Sequence, residues 1–270
     1  MHTSPGVIHL GVASTATIGI VGGVGPYAAL DLARKICDET VASRDQDHLP
    51  VALISYPQDI PDRTAFILGE TDLNPADPIL AVIAELERVG CRFIGIPCNT
   101  AHAPAIWNVI TRGLAQRGSA VRLLHMVEET AAFIRATWPG FKKVGVLSTV
   151  GTQRSGVYPE VFGRSGLEVV TLEESKLREL VHASIYDSHF GIKAQASPVS
   201  KRARRNALAA VEGVRGAGAE VVVLACTELP LAVPERVLDG TPIVDSTRVL
   251  ARALIRMVAP RLLRPQEITT

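Results

Sequence analysis

The sequence is poor in the residues and patterns that mark metal sites and disulfide frameworks. It has only four cysteines in 270 residues, and their spacing is not that of a secreted disulfide scaffold. It contains no Cys-x-x-Cys and no His-Glu-x-x-His pattern. We therefore expect no zinc site and no other metal site.

Long apolar runs and a strong charge imbalance are also missing. No apolar run approaches the roughly 20 residues that a membrane-spanning helix needs, so we expect no membrane association. The first seventeen residues lack the basic start and sustained apolar stretch of a signal peptide, which favours a cytoplasmic protein with reduced thiols. The net charge is +1 and the one basic cluster covers residues 201–205, so a nucleic-acid partner is not expected.

What the sequence does contain is a regular alternation of strand and helix patterns. Strands are expected at 17–22, 50–55, 92–97, 121–125, 143–148, 167–172, 220–225 and 242–244. Helices are expected at about 26–43, 75–90, 102–118, 127–138, 152–164, 174–187, 199–217, 229–237 and 246–258. Continuous apolar strands between helices predict an α/β fold whose parallel sheets are covered on both faces.

Two pairs of matching segments indicate an internal duplication. Cys98 and Cys226 each end an apolar strand pattern, and they are 128 positions apart. The strand-and-glycine segment 18–26 matches 144–152 at an offset of 126. Similar strand–glycine–helix units recur in any α/β protein, but two nearly equal offsets favour a true repeat. We predict two similar Rossmann-like lobes, pseudo-symmetric around a central cleft, with residues 1–119 and about 241–270 in the first lobe and 120–240 in the second.

Cys98 and Cys226 are the strongest candidates for chemistry. Parallel sheets bind ligands at the carboxyl ends of their strands, and both cysteines fall at such ends. A free thiol has a pKa of about 8.5, which a helix N-terminus lowers. For Cys37 and Cys91 we favour the alternative that cysteine is a small buried apolar residue.

Polar residues around the same strand ends are candidates for binding an anion. The backbone N–H groups of Asn99, Thr100 and Thr227 are expected at helix starts, where they can bind a carboxylate or be capped locally. The glycine-rich segment 22–26, which includes Gly23 and Val24, lacks the spacing of a nucleotide-binding loop and is interpreted as a turn that approaches a small ligand closely. The charged candidates are Arg63, Lys193 and Glu228, for which surface exposure is the alternative.

Three segments together resemble a known enzyme family. Gly-Gly-Val-Gly-Pro at 22–26, Pro-Cys-Asn-Thr-Ala-His at 97–102 and Ala-Cys-Thr-Glu-Leu-Pro at 225–230 are similar to the motifs of the aspartate/glutamate racemases. The resemblance covers nearly all of the chain after residue 16. It implies two α/β lobes around a cleft, a homodimer, and racemisation of a small dicarboxylic amino acid without a cofactor.

The resemblance also implies roles for individual residues. Cys98 and Cys226 match the two acid/base cysteines, and Asn99, Thr100 and Thr227 match positions that hold the α-carboxylate. Ser148 and Thr149 match pocket-lining residues at a strand end of the second lobe. Arg63 and Lys193 match the basic residues for the side-chain carboxylate. Val24 replaces a methionine that is frequent in the first glycine loop, and residues 186–191 depart from the more usual acidic spacing before Lys193.

The departures from the cell-wall glutamate racemases favour the aspartate branch of the family. Those enzymes typically carry Asp-Ser-Gly at the first loop and Cys-Thr-His at the second cysteine, whereas this chain has Val-Gly-Gly and Cys-Thr-Glu. Glu228 is accordingly placed with Gly23 and Val24 among the residues expected to contact the substrate.

Two other function classes stay open at this point. One is a decarboxylase or isomerase of small dicarboxylates with the same two-lobe architecture, which two matched cysteines disfavour. The other is a non-catalytic module that closes its lobes on an anion. Inversion of a carbon centre requires a base on one face and an acid on the other. Two thiols at matched strand ends can supply both groups.

Overall fold

The computed structural model describes residues 17–266. Its strands are β1 (Thr17–Val21), β2 (Val51–Ile54), β3 (Cys91–Gly95), β4 (Arg122–Leu123), β5 (Lys143–Ser148), β6 (Glu168–Val170), β7 (Val221–Ala225), β8 (Val237–Leu238) and β9 (Thr241–Asp245). Its α-helices are α1 (Pro26–Glu39), α2 (Arg63–Leu68), α3 (Ala76–Arg88), α4 (Pro104–Gln116), α5 (Met126–Thr137), α6 (Val150–Arg154), α7 (Val157–Arg164), α8 (Glu174–Lys176), α9 (Ala183–Tyr186), α10 (Lys201–Gly216), α11 (Leu229–Ala232) and α12 (Ser246–Val258).

The strands form two sheets with matching order, which confirms the predicted fold class. The first sheet has the order β2-β1-β3-β4, with every neighbouring pair parallel. The second has the order β6-β5-β7-β9-β8, parallel except for the last pair. The pair β1 and β3 therefore corresponds to β5 and β7, the pairs in which the duplication was predicted.

Apolar residues cover both faces of each sheet. In β7, Val221 and Val223 join one buried cluster while Val222 and Leu224 join another, so the strand is buried on both sides. The first sheet is covered by α3 and α4 on one face and by α1 and α12 on the other. This double burial explains why the strand patterns are continuously apolar rather than alternating.

Two strands fall outside the lobe boundaries expected from the sequence. Arg122–Leu123 pairs with Phe93–Ile94 in the first sheet, although 120–240 was assigned to the second lobe. Thr241–Asp245 pairs with β7 in the second sheet, although it was assigned to the first. Backbone pairing decides both positions, so the boundaries expected after residues 119 and 240 each lie one strand too early. The parts of the expected first lobe at 1–16 and 267–270 lie outside the described residues.

The chain returns to the first lobe in α12. Leu250 and Leu254 of this helix pack with Ile18 and Ile20 of β1 in one buried cluster. The helix begins directly after β9 of the second sheet, so a single turn joins the two lobes at this point.

Several local expectations were wrong. The helix expected at 152–164 is broken by Gly156, whose φ is 71°. Residues 174–186 do form a helix, as expected at 174–187, but its segment Leu177–His182 is π-helical. The helix expected at 229–237 ends at Ala232, and Val237 already begins the short strand β8. No helix was expected at α2.

Candidate active site

The carboxyl ends of strands from both sheets meet at one nearly closed cavity. Its volume is about 20 Å³, which is room for about one water molecule. The following residues line it: Val24, Arg63, Thr64, Cys98, Asn99, Thr100, Thr149, Tyr186, Lys193, Ala225, Cys226, Thr227 and Glu228. The structure thus brings together residues that lie up to 204 positions apart in the chain, from Val24 to Glu228.

All but two of the residues singled out from the sequence line this cavity. The exceptions are Gly23 and Ser148. Gly23 has φ 82° and lines a neighbouring cavity, and a Cβ there would lie 2.9 Å from the carbonyl oxygen of Tyr56. Ser148 is buried, and its hydroxyl donates to the Thr149 carbonyl at 3.2 Å.

The two cysteine loops have similar backbone arrangements. After Cys98 the chain forms a short 3₁₀ turn at Asn99–His102, whose first hydrogen bond runs from the Ala101 N–H to the Cys98 carbonyl at 3.1 Å. After Cys226, the Leu229 N–H donates to the Cys226 carbonyl at 3.0 Å. In each loop, the two N–H groups that directly follow the cysteine come before the first turn. N–H groups at such positions have no backbone acceptor within the turn and are available to bind an anion.

Cys98 lies beside the guanidinium of Arg63. The Arg63 side chain is 7% exposed, although surface exposure is the usual state of arginine. Burial would lower the pKa of this guanidinium, but the Cys98 sulfur and the Asp62 carboxylate raise it above its ordinary value. Arg63 also donates from Nη2 to the Val24 carbonyl and from Nη1 to the Pro61 carbonyl. Its Nε–H has no partner among residues 17–266.

Cys226 lies beside a carboxylate instead. Its Sγ donates to Glu228 Oε2 at 3.0 Å, and the Thr227 hydroxyl reaches the same oxygen at 3.4 Å. Burial raises the pKa of the Cys226 thiol, and the Glu228 charge raises it further. Glu228 lines the cavity, and its Oε2 is already engaged by the Cys226 thiol.

Lys193 reaches the cavity in spite of the unusual spacing before it. Its Nζ lies 3.5 Å from Asp62 Oδ2 and 4.1 Å from the centre of the Tyr186 ring. Burial would lower the pKa of this ammonium, but Glu228, Tyr186 and Asp62 raise it. Lys193 is therefore a charged group at the cavity wall.

A set of hydroxyl groups crosses between the lobes, and sequence reasoning named Thr100 and Thr149 of this set but missed its other members. Thr64 Oγ1 lies 3.3 Å from Thr149 Oγ1, and Thr100 Oγ1 lies 2.7 Å from Thr152 Oγ1. Thr149 and Thr152 are 3.1 Å apart, and the Tyr186 hydroxyl reaches Thr64 at 3.2 Å. The lobes approach so closely here that a Cβ on Gly151 would lie 2.8 Å from Thr64 Cα. Thr64 could have been found from its position next to Arg63.

The remaining two cysteines lie outside the cavity lining. Cys91 is buried at the start of β3, and burial raises the pKa of its thiol to about 11, as expected for a packing residue. Cys37 was expected to be buried as well, but it is exposed. The reason is its position on the helix: the buried face of α1 carries Leu32, Lys35 and Ile36, and Cys37 lies outside that face.

A second cavity of about 330 Å³ adjoins the first and shares Arg63, Lys193 and Glu228 with it. Its other walls are mainly apolar, with Pro26, Tyr27, Pro57, Ile60, Ile192 and Leu231 among them. This volume is within the range of small-molecule sites. The three shared charged residues thus lie between a small inner cavity and a wider outer one.

Among residues 17–266, no group of histidine, cysteine and acidic side chains is arranged to hold a metal ion. The same part of the chain includes no helix that is both long and apolar enough to cross a membrane.

Comparisons with known proteins agree on one family. Residues 21–254 match the family model described as Asp/Glu/Hydantoin racemase. The broad specificity amino-acid racemase RacX of Bacillus subtilis (strain 168) is 27% identical over 246 residues, which cover 88% of this chain and 96% of that protein. A glutamate racemase of Corynebacterium diphtheriae is 30% identical over 192 residues, covering 68% of this chain and 65% of that protein. The structure of Picrophilus torridus aspartate racemase superposes with a TM-score of 0.73 at 28% identity, covering 90% of this chain and 94% of that one.

Proposed function

The chain belongs to the Asp/Glu/hydantoin racemase family, and we propose that it racemises an acidic amino acid, aspartate or glutamate, by proton transfer between two thiols without a cofactor. The observation that carries the proposal is the position of Cys98 and Cys226. They follow corresponding strands of two similar sheets and line one cavity. The names of the related racemases of glutamate and aspartate support an acidic substrate.

The reaction needs one proton acceptor and one proton donor on opposite faces of the α-carbon. One cysteine, as the thiolate, removes the α-proton, and the electron pair of the C–H bond moves to the α-carbon and its carboxylate. The opposite cysteine, as the thiol, delivers its proton to the other face, which inverts the centre and exchanges the two roles. N–H groups after each cysteine can stabilise the carboxylate charge that develops.

The charges next to the two sulfurs suggest how the protons are distributed before the substrate binds. A neighbouring positive charge favours a thiolate, and a neighbouring carboxylate favours a thiol. We therefore propose that Cys226, which donates to Glu228, is a thiol in the resting enzyme.

The substrate carboxylates would bind at two places. Asn99, Thr100 and Thr227 supply N–H groups for the α-carboxylate. Arg63, through its buried Nε–H, and Lys193 supply positive charge for the second carboxylate. Burying that carboxylate without such partners would be costly, so aspartate or glutamate should be preferred to alanine. A homodimer stays a prediction of the family resemblance.

Chiral chromatography of single enantiomers tests the proposal. The purified protein is incubated separately with L-aspartate, D-aspartate, L-glutamate and L-alanine, without pyridoxal phosphate and after treatment with a chelator. We expect both aspartate enantiomers, or glutamate, to reach a racemic mixture and alanine to react far more slowly. Binding of aspartate without interconversion would indicate the anion-binding module instead. Loss of a carboxyl group from the substrate would indicate the decarboxylase.

A further inference from the structure

A chain of hydrogen bonds links the two lobes behind the cavity. The Tyr158 hydroxyl contacts Asn99 Oδ1 at 2.7 Å, and Asn99 Nδ2 contacts Ser246 Oγ at 3.3 Å. Ser246 Oγ in turn contacts the Leu224 carbonyl at 2.8 Å. Tyr158 lies on α7, Ser246 begins α12, and Leu224 lies on β7 two positions before Cys226. The loop after Cys98 is thus tied to the strand that carries Cys226.

The direction of every bond in this chain follows from its last member. A carbonyl oxygen only accepts, so the single hydroxyl hydrogen of Ser246 is used on Leu224. Ser246 Oγ must then accept from Asn99, and the amide atom that faces it is the NH₂ group. The other amide atom is therefore the oxygen, which accepts from Tyr158. One orientation of the Asn99 amide satisfies all of these contacts.

This orientation leaves one polar hydrogen of Asn99 for a ligand. The second N–H of its amide makes no hydrogen bond within residues 17–266, and Asn99 lines the cavity between the cysteines. Tyr158, Asn99 and Ser246 are all nearly inaccessible to solvent, with exposures of 2%, 2% and 0%. Loss of one hydroxyl would therefore leave its buried partner without a hydrogen bond, which is costly because water has little access to the chain.

We propose that Tyr158 and Ser246 are positioning residues that hold the Asn99 amide with its free N–H toward the α-carboxylate of the substrate. The proposal rests on the racemase function argued above. Neither residue lines the cavity, and each acts through Asn99. Burial raises the pKa of the Tyr158 phenol, so the phenol stays a hydrogen-bond donor throughout the neutral range.

Three variants and a double-mutant cycle test the proposal. Tyr158→Phe and Ser246→Ala each remove a hydroxyl and little else. We expect each to raise KM for aspartate about tenfold, the effect of one charge-assisted hydrogen bond, with kcat changed less than twofold. Ser184→Ala is the matched control, because it removes a buried hydroxyl that donates to the Leu180 and Ala203 carbonyls outside the cavity. It should leave KM unchanged.

The cycle separates positioning from general destabilisation. In an Asn99→Ala background, Tyr158→Phe should raise KM no further, since its effect passes through the amide. Unchanged KM in both Tyr158→Phe and Ser246→Ala would overturn the proposal, as would an effect of Tyr158→Phe that adds fully to that of Asn99→Ala. A wild-type protein that racemises no amino acid would instead contradict the proposed function.

Discussion

At the scale of single residues, the two thiols differ in the charge beside them. Arg63 lies against Cys98, whereas Glu228 accepts a hydrogen bond from Cys226. Under the proposed two-thiol mechanism, each sulfur serves as the base in one direction of the reaction and as the acid in the other. The two sulfurs would perform these tasks in different electrostatic surroundings.

Removal of either thiol should abolish net racemisation. Cys98→Ala and Cys226→Ala each leave only one acid/base group, and inversion needs two. Cys91→Ala is a control that deletes a buried thiol outside the cavity lining, at a cost of about 1 kcal/mol in unfolding free energy. It should retain full activity. Chiral chromatography of aspartate after incubation measures the outcome, and substantial racemisation by either cavity variant would rule out the two-thiol mechanism.

Glu228→Gln should change the pH dependence of activity. The carboxylate raises the pKa of Cys226 in addition to the effect of burial, so loss of its charge lowers that pKa. In the direction in which Cys226 donates a proton, the alkaline limb of kcat/KM should move to lower pH. In the opposite direction, the acid limb should move to lower pH.

The measurement is the pH profile of kcat/KM from each pure enantiomer. Glu235→Gln is a suitable control, because Glu235 is also near α11 but pairs with Arg204 outside the cavity lining. Profiles of Glu228→Gln that coincide with the wild type in both directions would show that Glu228 does not tune the thiol.

At the scale of elements, the parts predictable from sequence are those that local patterns determine. Apolar runs located every strand except β8 to within a few residues, because both faces of each sheet are buried. The helix α2 escaped prediction because its six residues, 63–68, are too few to show a period. Its start depends on Asp62, whose carboxylate accepts from the N–H groups of Thr64 and Ala65 at 2.8 and 2.9 Å.

The cysteine loops were predictable in the same way, but the hydroxyl contacts between lobes were not. Tyr158 and Ser246 follow no motif, and each meets Asn99 through a single side-chain hydrogen bond. These contacts join residues that are 59 and 147 positions apart, so no local sequence pattern predicts them.

Replacement of Arg63 at the start of α2 should impair both substrate binding and folding. Arg63→Leu removes the charge expected to bind the second carboxylate, at a cost of about 2–4 kcal/mol in kcat/KM for aspartate. It also leaves the Val24 and Pro61 carbonyls without their donor, so the melting temperature should fall. Arg63→Lys keeps the charge but loses the planar fork, and it should recover only part of the activity.

Steady-state kinetics with aspartate and alanine, together with thermal unfolding, measure both effects. Arg204→Leu is the control, since it removes an arginine outside the cavity lining. Equal activity of the wild type on alanine and aspartate, or an unaffected Arg63→Leu, would contradict the dicarboxylate assignment.

Ion pairs between α1 and α12 should make stability depend on pH. Burial would raise the pKa of Glu39, but hydrogen bonds from Arg248 and Arg252 outweigh it and hold the value below the ordinary 4.5. The unfolded chain therefore binds this proton more readily, and the stabilisation is present above about pH 4.5 and is lost as the pH falls through the lower folded value. Glu39→Gln should lower the melting temperature at pH 7, and the difference from wild type should shrink below pH 4.5.

Thermal unfolding at both pH values gives the comparison. Glu85→Gln breaks an exposed pair with Arg88 and should have little effect at either pH. A difference between Glu39→Gln and wild type that is constant from pH 7 to pH 4 would contradict the assignment of the stabilisation to the ionised carboxylate.

At the scale of the whole molecule, the two lobes are closed on each other. The cavity between the cysteines has a volume of about 20 Å³, too small for an amino acid. Hydroxyl contacts between Thr64 and Thr149 and between Thr100 and Thr152 span the lobes. The inner cavity must therefore widen before it can hold an amino acid, and the outer cavity adjoins it at Arg63, Lys193 and Glu228.

Isotope incorporation from solvent tests the two-thiol mechanism most directly. L-aspartate with protium at Cα is incubated with the wild-type protein in deuterated buffer, and the two enantiomers are separated at low conversion and analysed by mass spectrometry and NMR. Because the proton delivered to the second face comes from a thiol that exchanges with solvent, D-aspartate should carry deuterium at Cα while the remaining L-aspartate stays largely protiated. The reverse experiment from D-aspartate should give the mirror result. D-aspartate that retains the original proton, or an absence of deuterium in both enantiomers, would contradict the account.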